Sequence, residues 1–243
     1  MNGNTEPYIL DETEDFSVVF KPPQMHSANL SHNSGGTLLD WYSQIFPPVK
    51  NLCGRKEGEG GLLHRLDFET RGLVLFAKNQ KSLDHFLQQQ AEGNFVKEYN
   101  AVCRTNTAED SSFPPPPFDH ADGFPQTPFF IESFFRPYGP GRKQVRPVID
   151  AGRKVKEIAK DKGGFYRTEI VSVLNNGEVV ITAKLRRGFR HQIRCHLAWT
   201  GFPVINDSLY NNRSPGGILG LCASGLIFTD PGGGRRKYHV REN

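Results

Sequence analysis

No apolar run in this sequence approaches the ~20 residues that a helix needs to cross a bilayer, and the mean hydropathy of −0.52 points the same way. The opening residues, MNGNTEPYILDETEDF, have neither a basic start nor an apolar core. A secretory signal is therefore not expected, and a cytoplasmic location with no membrane partner is the expectation. Cysteine is scarce: Cys53, Cys103, Cys195 and Cys222 never form a C-x-x-C pair. A structural zinc site wants closely spaced pairs, so no metal site is expected, and reduced thiols are expected in place of disulfides. No internal repeat and no sustained heptad pattern occurs. Charge is also modest, with 30 Lys and Arg against 26 Asp and Glu, a net +4. This excludes a polybasic tail and permits an RNA partner without requiring one.

The 243 residues are enough to bury a sizeable core. Residues 9–20, ending in SVVF, read as one strand entry, followed by the turn-rich KPPQMHSANLSHNSGG. From Thr37, LLDWYSQIF puts Leu38, Leu39, Tyr42, Ile45 and Phe46 on one helical face, and Pro47 and Pro48 stop the helix. GLVLFAK reads as a buried strand. NQKSLDHFLQQQAEG reads as a helix capped by Asn79 and stopped by Gly93, with Leu83, Phe86 and Leu87 inward. KEYNAVC is a further strand. Residues 105–128 hold four consecutive prolines and read as a loop insertion. FFIESFF follows, while GPGRKQVRP has no clear assignment. YRTEIVSVL and EVVITAKL flank Asn175-Asn176-Gly177, a strong hairpin signal. FRHQIRCHLAWTG predicts a helix stopped at Gly201, and GLCASGLIFTDP and RRKYHVR predict closing strands. Hairpins mixed with helices favour α+β over an alternating βαβ chain.

Three stretches carry candidate chemistry. In His64-Arg65-Leu66-Asp67 a carboxylate stands before an apolar strand with two basic residues upstream, a setting that keeps it ionised and oriented. An ordinary turn aspartate has the same local look. In Lys97-Glu98-Tyr99, alternation puts Lys97 and Tyr99 on one strand face, where a Tyr can stack on a base or simply be half buried. Residues 186–196 are dense in Arg and His. Helical spacing places Arg190 and Arg194 on one face, a candidate phosphate patch or a solvated basic face. His191 and His196 are five apart, not the i, i+4 of a helical zinc pair.

Together these stretches resemble the RluA-type pseudouridine synthases. HRLDFETRGLVLFAK resembles the family's signature, KEY its Lys-x-Tyr motif, and RRGFRHQIRCHLAWTGFPVINDSLY its third motif, which ends in Gly-x-Pro-x-x-x-Asp-x-x-Tyr. FKPPQMHSA resembles the opening Lys-Pro motif and GLCASGLIFTDP the closing strand, so the likeness spans about residues 16–231. Two positions depart from the pattern: Arg71 stands where a small residue is usual after Thr70, and Gly188-Phe189-Arg190 stands where Gly-Arg-Thr is common.

The resemblance implies an α+β pseudouridine synthase fold, with a mixed, mostly antiparallel sheet flanked by helices and loops around a central catalytic cleft. It implies a single catalytic domain over residues 1–243, without the small N-terminal S4-like module that many relatives carry. It implies an RNA substrate, ribosomal or transfer RNA, no cofactor and no metal, and a monomer is the default expectation. Asp67 matches the catalytic carboxylate, Arg194 the basic residue that pairs with it, and Tyr99 the residue that stacks on the flipped base. Arg65 matches the residue that fills the space left by that base. His64, Lys97, Arg190, His191, Gln192 and Ile193 complete the expected RNA-binding set. Two other classes fit parts of the same pattern: a catalytically silent RNA-binding protein on this scaffold, and a metal hydrolase using His191, His196 and Asp207.

Overall fold

The computed structural model describes residues 5–28, 35–105, 111–118, 124–149, 165–175, 178–211 and 216–240. The chain divides into two compact units, Met1–Glu98 with Cys222–Asn243, and Tyr99–Leu221.

In the first unit, strands β1 (Tyr8–Glu12), β2 (Phe16–Lys21), β3 (Arg71–Ala77) and β9 (Leu221–Thr229) lie side by side in that order, with β10 (Arg235–His239) on β9. The β3–β9 contact is parallel and the others antiparallel, so the sheet is mixed. Residues 9–20, expected as one strand, form a hairpin instead. The Thr13 hydroxyl accepts from the N–H groups of Asp15 and Phe16 and closes a turn between them. The contact between β3 and β9 needs Gly72: its φ is +130°, and a Cβ there would lie 2.3 Å from the Ala223 carbonyl oxygen.

β2 and β3 are buried on both faces, which is why GLVLFA reads as a continuous apolar run. Phe16, Val18, Phe20, Leu73 and Leu75 share a core with Leu83 and Phe86 of α2 (Gln80–Glu92). On the other face Tyr42 of α1 (Leu38–Ile45) stacks on Phe76 at 4.5 Å and shares a 2.7 Å hydrogen bond with Ser17. The ends of α2 are those expected, with Asn79 capping it and Gly93 ending it at φ 75°, and Thr37 and Asp40 form a capping box at the start of α1. Ile45, expected inward, is 51% exposed because α1 ends there and the chain turns into a short 3-10 helix at Pro47–Asn51.

The chain passes between the units within β4 (Val96–Cys103). In the second unit the strand order is β4, β8 (Val179–Leu185), β7 (Tyr166–Asn175), β5 (Phe129–Tyr138), β6 (Gln144–Val148). The β8–β7, β7–β5 and β5–β6 pairs are antiparallel. The predicted hairpin is present, with Asn175 opposite Val179, while its turn residues 176 and 177 lie outside the described residues. GPGRKQVRP, unassigned from sequence, forms a single 3-10 turn and β6. Helix α3 (Gln192–Trp199) contributes Cys195 to a core with Phe135, Val145, Tyr166 and Tyr210. The described parts of the 105–128 insertion have no helix or strand, as expected, yet they are anchored. Trp199 Nε1 donates to the carbonyls of Pro114 and Pro115, Phe124 stacks on Phe202 at 3.9 Å, and Arg146 donates to Ser112 while lying 4.3 Å over the Phe113 ring. All four cysteines are free, and burial pushes the Cys103 and Cys195 thiols up, which leaves them inert.

Candidate functional site

The candidate residues divide between the units: His64, Arg65, Asp67 and Lys97 in the first, and Tyr99, Arg190, His191, Gln192, Ile193 and Arg194 in the second. In the first unit Asp67 sits half buried at the head of a turn that runs into β3, with its carbonyl accepting from Thr70 N–H at 3.1 Å. The residues on either side of it are fixed. The Leu66 N–H donates to Ser27 Oγ at 3.0 Å, and that hydroxyl donates back to the Leu66 carbonyl at 3.1 Å. The Phe68 carbonyl accepts from Met25 N–H at 3.2 Å and from Lys21 Nζ at 3.3 Å. The ammonium of Lys21 is wholly buried and also donates to the carbonyls of Pro22 and Met25, both at 2.8 Å. Burial brings its pKa down to about 7, a fall opposed by the charges of Asp67 and Glu69. The Lys-Pro segment, read from sequence only as an opening motif, thus forms the support beneath the Asp67 turn.

Arg65 is partly exposed and lies 3.5 Å from Glu59. His64 packs against Phe95. Burial, reinforced by the positive charge of Lys97, holds its imidazole well below the ordinary value, and neither ring nitrogen has a hydrogen-bond partner among the described residues. Lys97 is buried on β4, and burial together with the charge of Arg55 brings its pKa to about 8.

In the second unit Tyr99 is buried on β4. The predicted helix starts later than its sequence suggests. His191 adopts a left-handed conformation at φ 57°, so the regular turn begins only at Gln192. Arg190 and Arg194 therefore do not share a helical face. Arg190 is exposed and its Nη2 donates to the carbonyls of Arg142 and Gln144. Arg194 is 1% exposed and pairs with Asp207 through Nε at 2.7 Å and Nη2 at 2.8 Å. Asp207 is itself fully buried, and its Oδ1 accepts in addition from the Leu209 and Tyr210 N–H groups. Tyr210 in turn accepts from Val145 N–H at 2.8 Å and lies 3.2 Å from His191 Nδ1, and burial raises its hydroxyl pKa so that it stays neutral. Sequence reasoning did not single out Asp207 as a partner of Arg194. The signal was present in the spacing of Asp207 and Tyr210 within Gly-x-Pro-x-x-x-Asp-x-x-Tyr.

Gln192 and Ile193, expected among the RNA contacts, are buried at 2% and 4% exposure. The Gln192 amide is consumed internally: Oε1 accepts from Phe189 N–H, and Nε2 donates to the Arg167 carbonyl and Thr168 Oγ1. The donor set of the metal-hydrolase reading is spent in the same way. His196 is fully buried, its Nε2 bonded to Ser133 and its Nδ1 to Thr168, and Asp207 is committed to Arg194. Among the described residues no group of three or more His, Cys, Asp or Glu is arranged to hold a metal.

Comparison with known proteins gives the fold and the family. Two solved structures share the fold: "Human RNA Pseudouridylate Synthase Domain Containing 1" (TM-score 0.66, 19% identity, 98% of this chain and 84% of that one) and "Human RNA Pseudouridylate Synthase Domain Containing 4" (0.62, 16%, 97% and 88%). Among sequence relatives, the "Ribosomal large subunit pseudouridine synthase D" of Borreliella burgdorferi is 30% identical over 206 residues, 83% of this chain and 54% of the relative. An "Uncharacterized RNA pseudouridine synthase" of Helicobacter pylori is 28% identical over 204 residues, again 83% and 54%. The chain thus spans about half the length of the curated relatives it matches. The description RNA pseudouridylate synthase matches residues 15–199, which include the Lys21 support, the Asp67 turn, β4 and all of α3. With three quarters of its length matched and the fold shared, the chain belongs to the RNA pseudouridylate synthase family.

Proposed function

We propose that this chain isomerises uridine to pseudouridine within RNA, with Asp67 as the catalytic carboxylate. In that reaction the N1–C1′ bond breaks and C5 joins C1′. The hydrogen on C5 leaves as a proton and N1 gains one, so no electron carrier is consumed. Asp67 acts at the sugar, as nucleophile at C1′ or as base at C2′. Tyr99 stacks on the extruded base, and Arg194 steadies the carboxylate. Arg65 fills the space that the base leaves in the RNA. The observation that carries the reading is the setting of Asp67, whose two neighbouring residues are clamped by Ser27 and Lys21 so that the backbone carrying its carboxylate is fixed. The buried Arg194–Asp207 pair supports it, because a guanidinium held by two bonds has a fixed direction.

The same reading takes ribosomal or transfer RNA as substrate, acts as a monomer in the cytoplasm, and uses neither metal nor cofactor. His64, Lys97, Arg190 and His191 serve RNA binding, and Gln192 and Ile193 serve it indirectly by fixing the start of α3. No helix of the described residues is long and apolar enough to cross a membrane. The test is tritium release from ribosomal and transfer RNA transcripts carrying 5-tritiated uridine. Release by the wild type and none by Asp67→Asn is expected, with folding and RNA affinity retained by the variant. Release by both proteins would remove Asp67 from the mechanism. RNA binding without release by the wild type would favour the silent binding protein.

A further inference from the structure

The first unit holds two buried lysines in opposite situations. Lys21 gives its three N–H donors to the carbonyls of Pro22, Met25 and Phe68 and has none to spare. Lys97 on β4 has its stem buried, and the residue is 9% exposed. Its Nζ takes part in no hydrogen bond or ion pair among the described residues, yet it is not one of the sealed polar atoms. The ammonium therefore opens to solvent at the end of a buried stem. Two titratable or charged groups from other elements face it. Arg55 adds its charge to burial in bringing the Lys97 pKa to about 8, and burial together with the Lys97 charge holds the His64 imidazole well below its ordinary value. Glu98, next along the strand, belongs to the opposite face, where His239 lies 3.2 Å from it.

The proposed isomerisation takes a proton from C5 and puts one on N1, and a carboxylate working at the sugar does neither. One group that first gives a proton and then takes one closes this balance. Such a group must change charge near neutral pH, keep a donor free and stand beside the base. Arg55 and Arg65 fail the first condition, because a guanidinium keeps its proton. Lys21 fails the second. His64 fails it as well, since both of its ring nitrogens are sealed. Lys97 meets all three. Its charge is felt by His64, three residues before Asp67. Strand alternation puts it on the face of β4 that carries Tyr99, about 6.6 Å along the strand, so its amine reaches the edge of a base stacked on that ring. We propose that Lys97 is a catalytic residue, the proton carrier between N1 and C5 of the isomerised uracil. N1 leaves C1′ with the bonding pair and takes a proton from the Lys97 ammonium, which becomes an amine. C5 then bonds to C1′. The amine takes the proton from C5 as the C5–C6 double bond re-forms, and Lys97 ends as the ammonium it began as. The balance is the same whether Asp67 acts at C1′ or at C2′. The inference rests on the proposed isomerisation and gives Lys97 a part in the chemistry beyond RNA binding.

The experiment follows tritium release from 5-tritiated transcripts against pH, and RNA affinity by fluorescence anisotropy, for the wild type, Lys97→Met and Lys97→Arg. Lys97→Met is expected to lower kcat roughly a hundredfold or more. Lys97→Arg keeps the charge and cannot release the proton, so it is expected to bind RNA like the wild type with kcat as low as that of Lys97→Met. The acid form must act first, so kcat/KM of the wild type is expected to fall as the pH passes about 8, and this limb is expected to be absent from Lys97→Met. In the free wild-type protein, 13C NMR of the lysine side chains is expected to show Lys97 titrating at about 8. An ordinary lysine value of about 10.4 would overturn the proposal however the variants behave. A kcat of Lys97→Arg within about threefold of the wild type, or a loss in Lys97→Met confined to affinity and KM, would also overturn it, because Lys97 would then act through its charge alone. A wild type that binds RNA and releases no tritium would remove the reaction itself. An active wild type beside an active Lys97→Arg would remove only the proton carrier.

Discussion

Replacing Asp207 by Asn removes the carboxylate from a guanidinium that is itself 1% exposed. Two charge-assisted bonds, 2.7 and 2.8 Å long, are at stake. The amide can keep the Oδ1 bonds to the Leu209 and Tyr210 N–H groups, so the turn they form survives. In place of Oδ2, however, an NH2 group faces the Nε–H of Arg194, donor against donor. Breaking a buried pair by removing one partner costs about 3–5 kcal/mol, and for a chain of this size each kcal/mol lowers Tm by roughly 2–4 °C. Urea unfolding followed through Trp199, on the same helix as Arg194, measures the loss. Turnover is expected to fall with it, because the guanidinium loses its fixed direction. The double variant Arg194→Met/Asp207→Asn, which keeps the acceptor for the Leu209 and Tyr210 N–H groups and removes the stranded guanidinium, is expected to regain part of the stability and none of the turnover. A stability loss under about 1 kcal/mol in Asp207→Asn would refute the reasoning, since the pair would then be neither tight nor dry.

Ser27→Ala removes both hydrogen bonds that hold Leu66 beside Asp67. A stability loss of about 1–3 kcal/mol is expected, with kcat falling more than KM rises in the tritium assay. Gly72→Ala puts a Cβ against the Ala223 backbone at a φ of +130°, and poor soluble expression or a Tm lowered by more than 10 °C, on the order of 3 kcal/mol or more, is expected by calorimetry. The pH dependence of stability follows from His196, whose pKa burial lowers from 6.5 to about 3. The unfolded chain takes up this proton below pH 6.5 and the folded protein only near pH 3. Stability from this group is therefore complete above pH 6.5 and is lost as the pH falls towards 3, by up to roughly 5 kcal/mol. The urea midpoint of the wild type should fall relative to that of His196→Gln as the pH drops from 6.5 towards 3, and curves that stay parallel over that range would contradict this.

Local physics settled much of this protein in its sequence. Asn79 and Gly93 bound α2 because a side-chain acceptor and a left-handed residue are what helix ends need wherever they occur. The apolar run before Lys78 becomes β3, and Asn-Asn-Gly stands between β7 and β8, since period and turn chemistry act within a few residues. The order of motifs carried the family. Tertiary structure decided what depends on groups far apart in the chain. It broke the expected Arg190–Arg194 face by placing His191 in a left-handed conformation, a choice that helical periodicity cannot register. It gave Arg194 its partner thirteen residues away in Asp207 and gave Lys21 the Phe68 carbonyl across forty-seven. It also turned Gln192 and Ile193 inward. A buried charge or amide must find its partners wherever the packed chain brings them, and sequence patterns report residue types and spacings, not which distant groups the packing leaves to be satisfied.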